Sequence, residues 1–172
     1  MERTLKVFCS GSEQDRLSDK IPVIERYTGF LLTRLLQEPA DALARRYPVE
    51  DITDQYLLPA GRRHIDTEQP RLDSGGRMRA HPAYKGEGKL PPGMHHYLVQ
   101  FLGPIKQEWL QGVEAAGGRL QAPHASFSYV VRADEACISR IAALPYVRWS
   151  GHLSHKDRIA ASVLSGVKRK KD

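Results

Sequence analysis

The chain has 172 residues, of which 41% are hydrophobic and 27% charged, and its formal net charge is +6. These totals are typical of a globular chain with one or two small domains. Because no stretch approaches the roughly 18 apolar residues that a membrane-spanning helix needs, we predict no membrane partner. The N-terminus lacks the apolar core of a signal peptide, so the sequence does not support export and assigns no compartment.

Residues 1–58 alternate between apolar runs and polar turns, and they predict a degenerate ferredoxin-like unit. The predicted elements are a strand at 5–11, a short helix at 13–19, strands at 23–27 and 30–35, a helix at 38–46 and a last strand at 49–58. Thr28-Gly29 is the predicted turn between the paired strands, and Pro39 lies near the start of the second helix.

Residues 59–95 have few long apolar runs and many Gly, Pro and Arg residues, so we predict a linker. Asp73-Ser74-Gly75 matches the tripeptide around the catalytic aspartate of subtilisin-like proteases. In that setting an apolar strand precedes the aspartate, whereas Gln69-Pro70-Arg71-Leu72 precedes it here. We therefore interpret the tripeptide as a turn.

Residues 96–154 carry the clearest pattern. The predicted elements are a strand at 96–102, a helix at 105–116, a short edge strand at 119–123, a strand at 127–132, a helix at 135–144 and a final strand at 146–150. Trp109 shares the apolar stripe of the first helix and is predicted to lie in the core. Asp134 is the predicted cap of the second helix. For Trp149 the sequence leaves two locations open, the core and an interface.

The predicted order of strand, helix, strand, strand, helix and strand is the split βαβ arrangement, so we predict an α+β, ferredoxin-like fold. Its two helices would cover one face of a four-stranded antiparallel sheet and leave the other face open to a partner. At an offset of 98, Arg34 matches Arg132, Ala44 matches Ala142 and Val49 matches Val147. Together with the shared element order, these matches indicate two degenerate copies of one plan.

No arrangement of residues predicts catalysis, because acyl transfer needs a nucleophile, a base and an orienting group together. We therefore predict that the chain is not an enzyme and has no catalytic residues. His95 and His96 would point to opposite faces of a strand and ligate one ion poorly. His152 and His155 lack an evident third ligand, so we predict no metal and no cofactor. Cys9 and Cys137 are expected to be unpaired thiols.

Three blocks of the second half resemble the prodomain of subtilisin-like serine proteases of the fervidolysin type. They are HYLVQFLGPI at residues 96–105 with Trp109 four residues further on, FSYVVR at 127–132, and ALPYVRWSG at 143–151. The resemblance covers about residues 96–158 and extends more loosely to 20–95. It implies that residues 96–154 form a prodomain that binds, folds and inhibits a subtilisin-like protease.

The resemblance also implies how binding would occur. The open sheet face would dock on two helices of the protease, and the peptide after the last strand would lie in the substrate cleft. The predicted protease-binding tail consists of Gly151, His152, Leu153, Ser154 and His155. An extended peptide can bind a sheet edge through its backbone alone. Residues 155–172 are predicted to be a basic tail, and the oligomeric state stays open.

The alternative function is a nucleic-acid-binding module that shares the ferredoxin-like topology. It would need solvent-facing aromatic side chains on the central strands, with basic neighbours. The available aromatic residues are Tyr97, Phe101, Phe127 and Tyr129. Because an RNP1-type motif is absent, nucleic acid is the less favoured partner.

Overall fold

The computed structural model describes residues 1–61, 63–67 and 90–153, and these form an α+β protein with antiparallel sheets, as predicted. The chain divides into two compact units, Met1–Tyr56 and Leu57–Asp172. The turn predicted at Asp73-Ser74-Gly75 and the basic tail at 155–172 lie outside the described residues.

The first unit follows the predicted order of elements. They are β1 (Glu2–Phe8), α1 (Gly11–Ser18), β2 (Val23–Tyr27), β3 (Phe30–Leu36), α2 (Gln37–Ala44) and β4 (Val49–Asp51). In the described part of this unit the strands lie in the order β2-β3-β1-β4, and every neighbouring pair is antiparallel. This is the strand order of a ferredoxin-like sheet.

Local sequence signals position the elements of the first unit. Ser10 caps α1: its hydroxyl accepts a hydrogen bond from the backbone N–H of Glu13, and the Glu13 carboxylate accepts one from the backbone N–H of Ser10. Gly29 adopts φ +86° in the turn between β2 and β3, a conformation that favours glycine. Leu5, Val7 and Leu31 face the helices and build the core with Leu17 and Leu43.

The prediction that the last strand of the first unit reaches Leu58 is wrong, because β4 ends at Asp51. The Asp51 carboxylate accepts hydrogen bonds from the backbone N–H of Thr53 at 3.0 Å and from its hydroxyl at 2.5 Å. Such a local contact turns the chain out of the strand. A 3₁₀ helix, Thr53–Tyr56, follows, and the Thr53 hydroxyl oxygen accepts a hydrogen bond of 2.9 Å from the backbone N–H of Thr4.

The second unit begins with a hairpin and continues with a second ferredoxin-like sheet. Its elements are β5 (Leu58–Ala60), β6 (Arg63–Ile65), β7 (His95–Phe101), α3 (Gln107–Ala115), β8 (Arg119–His124), β9 (Ser128–Ala133), α4 (Glu135–Ala142) and β10 (Val147–His152). Strands β7 to β10 lie in the antiparallel order β10-β7-β9-β8, within the described ranges. Apart from its first residue, Leu58, the hairpin lies inside residues 59–95, which the sequence predicted to be a linker.

The two units repeat each other at the predicted offset. The helices α2 and α4 both start and end 98 residues apart, and β4 and β10 start 98 residues apart. Arg34 on β3 and Arg132 on β9 therefore occupy equivalent positions. The shared strand order and spacing support duplication of one plan.

An aromatic stack fills the helix-covered side of the second sheet. The rings of Phe101 and Trp109 stack with centroids 5.8 Å apart, and Trp109 and Tyr146 stack at 5.5 Å. Gly112 on α3 makes room for this arrangement, because a Cβ there would overlap the hydroxyl of Tyr146. Trp109 is buried, as predicted. Asp134 caps α4, as predicted, by accepting a hydrogen bond of 2.8 Å from the backbone N–H of Cys137.

Candidate protein-binding surface

The second face of the sheet in the second unit is covered along β7 and β10, so the prediction of an open face is wrong there. Leu58 and Ala60 of the hairpin pack into one cluster with Leu98, Trp149 and Leu153. Each of these five side chains is buried. The hairpin thus covers the apolar sheet face that was predicted to dock on a protease.

Polar contacts hold the hairpin segment against the sheet. The Thr67 hydroxyl donates a hydrogen bond of 2.5 Å to the side-chain carbonyl of Gln100, and the Arg148 guanidinium donates one of 3.0 Å to the Thr67 carbonyl. The Ser126 hydroxyl donates to the carbonyl of Leu57 at 2.6 Å. The Thr67–Gln100 and Arg148–Thr67 hydrogen bonds are buried, whereas Ser126–Leu57 is exposed, and buried hydrogen-bonded groups favour one arrangement of the two layers.

One sequence signal could have revealed the cover. Tyr97, Leu98, Val99, Gln100 and Phe101 on β7 are consecutive and all buried. A strand with one solvated face alternates between apolar and polar residues, whereas a strand covered on both faces reads as a continuous apolar run. The near-continuous run on β7 is therefore typical of a strand between two layers.

The structure divides the predicted protease-binding tail. Gly151 and His152 belong to β10 and pair with Leu98 and Tyr97, so the last strand is longer than the predicted 146–150. The backbone N–H of Leu153 donates a hydrogen bond of 2.8 Å to the His96 carbonyl. These three residues are part of the folded unit. Ser154 and His155 lie outside the described residues, so a tail can begin no earlier than Ser154.

Gly151 is required by the indole of Trp149. A Cβ at Gly151 would run into the Trp149 ring, which lies across the same face of β10. Trp149 is 2% exposed and packs under the hairpin. The question that the sequence left open for Trp149 is thereby answered, because its side chain belongs to the core.

His152 lies on the helix side of β10, in a cluster of rings. Its ring centroid is 5.7 Å from that of His95 and 5.8 Å from that of Tyr97. His95, Tyr97 and Glu135 line a neighbouring cavity of about 250 Å³ together with residues 90–93. Burial raises the pKa of Tyr97, and the carboxylates of Glu135 and Asp134 raise it further. In the described ranges, no group of three or more His, Cys, Asp or Glu residues could hold a metal ion.

A basic row crosses the sheet where the chain leaves it. His96 on β7 pairs with Arg132 on β9, and Arg132 pairs with Arg119 on β8. Paired residues of antiparallel strands share a face. His96 alternates with Tyr97, which faces the helices, so the row lies on the face opposite the helices. Both arginines are exposed, which places the row outside the hairpin cover.

The first unit carries an aromatic cluster on the sheet face away from its helices. Phe8 on β1 pairs with Phe30 on β3, the two central strands of the described sheet. Tyr27 stacks on Phe30 with centroids 4.4 Å apart, and the Lys6 ammonium lies 5.2 Å from the centroid of the Phe30 ring. Phe8 is 41% exposed. Phe8 and Phe30 thus place aromatic side chains with a basic neighbour on the two central strands, as the nucleic-acid alternative requires, but only Phe8 is exposed, and Phe30 and Tyr27 are half-buried.

Two of the four aromatic residues named from the sequence, Tyr97 and Phe101, are buried against the helices. Phe101 is fully buried and Tyr97 is 8% exposed, and both face the helices of the second unit. Phe101 and Tyr97 therefore do not meet the requirement of the nucleic-acid alternative for solvent-facing aromatic side chains, and Phe127 and Tyr129 are only half-buried. A solvent-facing position depends on strand register, which the sequence pattern left undetermined.

The fold and these surfaces define an α+β protein built of two ferredoxin-like units. The chain belongs to the family described as Domain of unknown function (DUF8729), whose model matches residues 60–154. The match begins inside β5, so it takes in the hairpin as well as the sheet that the hairpin covers. No curated protein and no solved structure matches the chain. Among the described residues, no helix is both long and apolar enough to span a membrane.

Proposed function

We propose that this chain is a prodomain-like binding module that acts as an intramolecular chaperone, an inhibitor, or both, of a subtilisin-like serine protease. The observation that supports the proposal is the path of β10, which leads the chain out of a ferredoxin-like sheet and anchors it at Leu153. Residues 96–158 also resemble subtilase prodomains. Because the chain is fixed at Leu153, the peptide that follows loses less conformational freedom when it binds in a cleft.

The covered face changes where the protease would bind. Because the hairpin fills the face along β7 and β10, docking uses the edge of the sheet and the peptide that follows it. In the described part of the chain β10 is an edge strand without proline, whereas the opposite edge, β8, contains Pro123. An edge whose amides are all able to donate is the better template for added backbone pairing.

The inhibition test titrates the full chain into a subtilisin-like protease and follows hydrolysis of a chromogenic peptide. We expect progressive slowing that saturates. The variant Ser154→Pro with His155→Pro removes two amide donors from the proposed tail and should weaken inhibition. Lys170→Pro with Lys171→Pro is the matched control and should inhibit like the unaltered chain.

The chaperone test refolds denatured mature protease with and without the chain and measures recovered activity. We expect a higher yield in its presence. Neither slowing of hydrolysis at a large excess nor a gain in refolding yield would contradict the proposed function. Equal inhibition by both proline pairs would place the contact elsewhere than at Ser154 and His155.

A second candidate, binding of single-stranded nucleic acid, is favoured by the Phe8, Phe30 and Tyr27 cluster with Lys6 beside it. Bases stack on exposed aromatic rings, and each stacked base contributes about 1–3 kcal/mol. The test is fluorescence anisotropy of a labelled oligothymidine at several salt concentrations. Phe8→Ala should abolish most of the binding, and Leu36→Ala, at another exposed apolar position, should not. Binding that is equal for both variants would reject this candidate.

A further inference from the structure

The basic row of His96, Arg132 and Arg119 places two like charges directly opposite each other. Arg119 and Arg132 are Cα partners on β8 and β9. Like charges in this position destabilise a sheet, whereas opposite charges would contribute roughly 0.2–1 kcal/mol. In the residues that the structure describes, neither guanidinium has a hydrogen-bond or ion-pair partner. The folded chain thus keeps an unfavourable pair that one acidic substitution would relieve.

Neighbouring carboxylates do not neutralise the row. Asp134 and Glu135 follow β9 directly in sequence, but they belong to the start of α4, on the other side of the sheet. Asp134 accepts the capping hydrogen bond from Cys137. The row therefore presents its positive charge outward.

One end of the row, His96, lies beside the exit of the chain. Leu153 donates its backbone N–H to the carbonyl of His96, so the last described residue lies at the same level of the sheet as His96, Arg132 and Arg119. The buried Leu153 side chain fixes this position. From this exit Arg132 lies two strands away, on β9, and Arg119 lies on β8 at the opposite edge, so a partner that receives the residues after Leu153 reaches both arginines only if it also extends across this face.

We propose that this row binds carboxylates of an acidic protein segment; the proposal rests on the proposed function in that this segment belongs to the protease, beside its cleft. Arginine suits the task because its planar guanidinium pairs with a carboxylate through two parallel hydrogen bonds. Charges at the rim of an interface speed association and select the partner. The cross-strand repulsion in the free chain is relieved when the carboxylates bind.

The first measurement uses a fluorescein-labelled, glutamate-rich peptide as the probe and anisotropy as the readout, with the full chain. Arg119→Glu with Arg132→Glu should weaken peptide binding by about tenfold or more, and binding to the unaltered chain should weaken with added salt. Lys20→Glu reverses an exposed charge in the first unit and is the matched control. It should bind like the unaltered chain.

The second measurement is thermal stability. Arg132→Glu alone converts the repulsive pair into an attractive one, so it should raise the melting temperature while it weakens peptide binding. A merely structural pair would change stability and leave binding unaltered. Equal peptide binding by the unaltered chain and the double variant, in folded protein, would overturn the inference.

Two further outcomes separate the alternatives. Tighter binding of an oligothymidine than of the acidic peptide, lost in the same double variant, would assign the row to nucleic acid and overturn our inference. Peptide binding that depends on the row, in a chain that neither inhibits nor refolds a protease, would support the row and reject the proposed function. The two proposals can therefore fail independently.

Discussion

The hydroxyl of Thr67 donates a hydrogen bond of 2.5 Å to the side-chain carbonyl of Gln100, and both residues are fully or almost fully buried. Thr67 follows the hairpin strand β6, whereas Gln100 lies on β7 at the centre of the second sheet. The contact therefore joins the layer that covers the sheet to the sheet itself. It also gives a polar side chain in an apolar strand a defined partner.

Thr67→Val should destabilise the second unit by about 1–3 kcal/mol, because it keeps the side-chain shape and removes a buried hydrogen-bond donor. Urea unfolding of the full chain measures the change. Thr28→Val, in the exposed turn between β2 and β3, is the control and should stay within about 0.5 kcal/mol of the unaltered chain. Equal stability of the two variants would contradict the role assigned to the contact.

Gly112→Ala should destabilise the second unit, although alanine is the better helix former, because the new Cβ would overlap the Tyr146 hydroxyl. Overpacking of this kind costs about 1–3 kcal/mol. Tyr146→Phe removes the obstructing hydroxyl and should restore much of the loss in the double variant. Gly11→Ala, with no atom within 4 Å of the new Cβ, is the control and should be neutral. Absence of rescue by Tyr146→Phe would place the strain elsewhere.

Gly151→Ala should displace the Trp149 indole from beneath the hairpin, because the added Cβ would meet the ring. The measurement is tryptophan emission in a Trp109→Phe background, which leaves Trp149 as the reporter. We expect a shift to longer wavelength and a lower melting temperature. Ser150→Ala, on the adjacent residue of β10, should change neither. An unshifted spectrum for Gly151→Ala would show that the indole can adjust within the core.

Stability should fall in acid partly through Asp134. Its hydrogen bonds from the backbone N–H and the thiol of Cys137 hold the pKa of the carboxyl below its usual value of 3.8. Because the pKa is lower in the folded chain than in the unfolded chain, the stabilisation is present above the usual carboxyl pKa. It is lost as the pH falls from there through the folded-state pKa.

Asp134→Asn keeps a good capping residue that does not titrate, so the free energy of unfolding should depend less on pH below about 4. Urea unfolding at neutral pH and at about pH 3 measures the dependence. Asp134→Ala serves as the control, since it removes the cap at both pH values and should destabilise at neutral pH as well. A pH profile of Asp134→Asn that matches the unaltered chain would exclude this contribution.

Sequence patterns located most elements because local chemistry sets them. Ser10 and Glu13 define the start of α1, Asp134 defines the start of α4, and the apolar spacing of Trp109 and Val113 defines the buried side of α3. Each signal acts within one turn of chain. Local signals of this kind were sufficient for the α+β class and for the order of strands and helices in both units.

Longer-range features could not be predicted in the same way. The sequence of residues 58–65 has two three-residue strands, too short for a periodic pattern, and their role depends on Leu98 and Trp149 far along the chain. The burial of Gln100 could not be predicted, because its hydrogen-bond partner, Thr67, lies 33 residues earlier in the chain. For the candidate protein-binding site, the sequence predicted only the region around the end of the last strand. The residues 151–153 lie inside the fold, and the arginine row became visible through strand register alone.

The hairpin has a consequence for how this protein can be divided. A fragment that began at His95 would contain every strand and helix of the second sheet but would leave Leu98 and Trp149 facing water. Such a bare apolar surface promotes self-association, so the shortened piece would tend to aggregate even with its secondary structure intact. A fragment that began at Leu57 would include the hairpin that covers this surface, so it should remain monomeric. The smallest autonomous piece of the second half therefore starts about forty residues earlier than its sheet does.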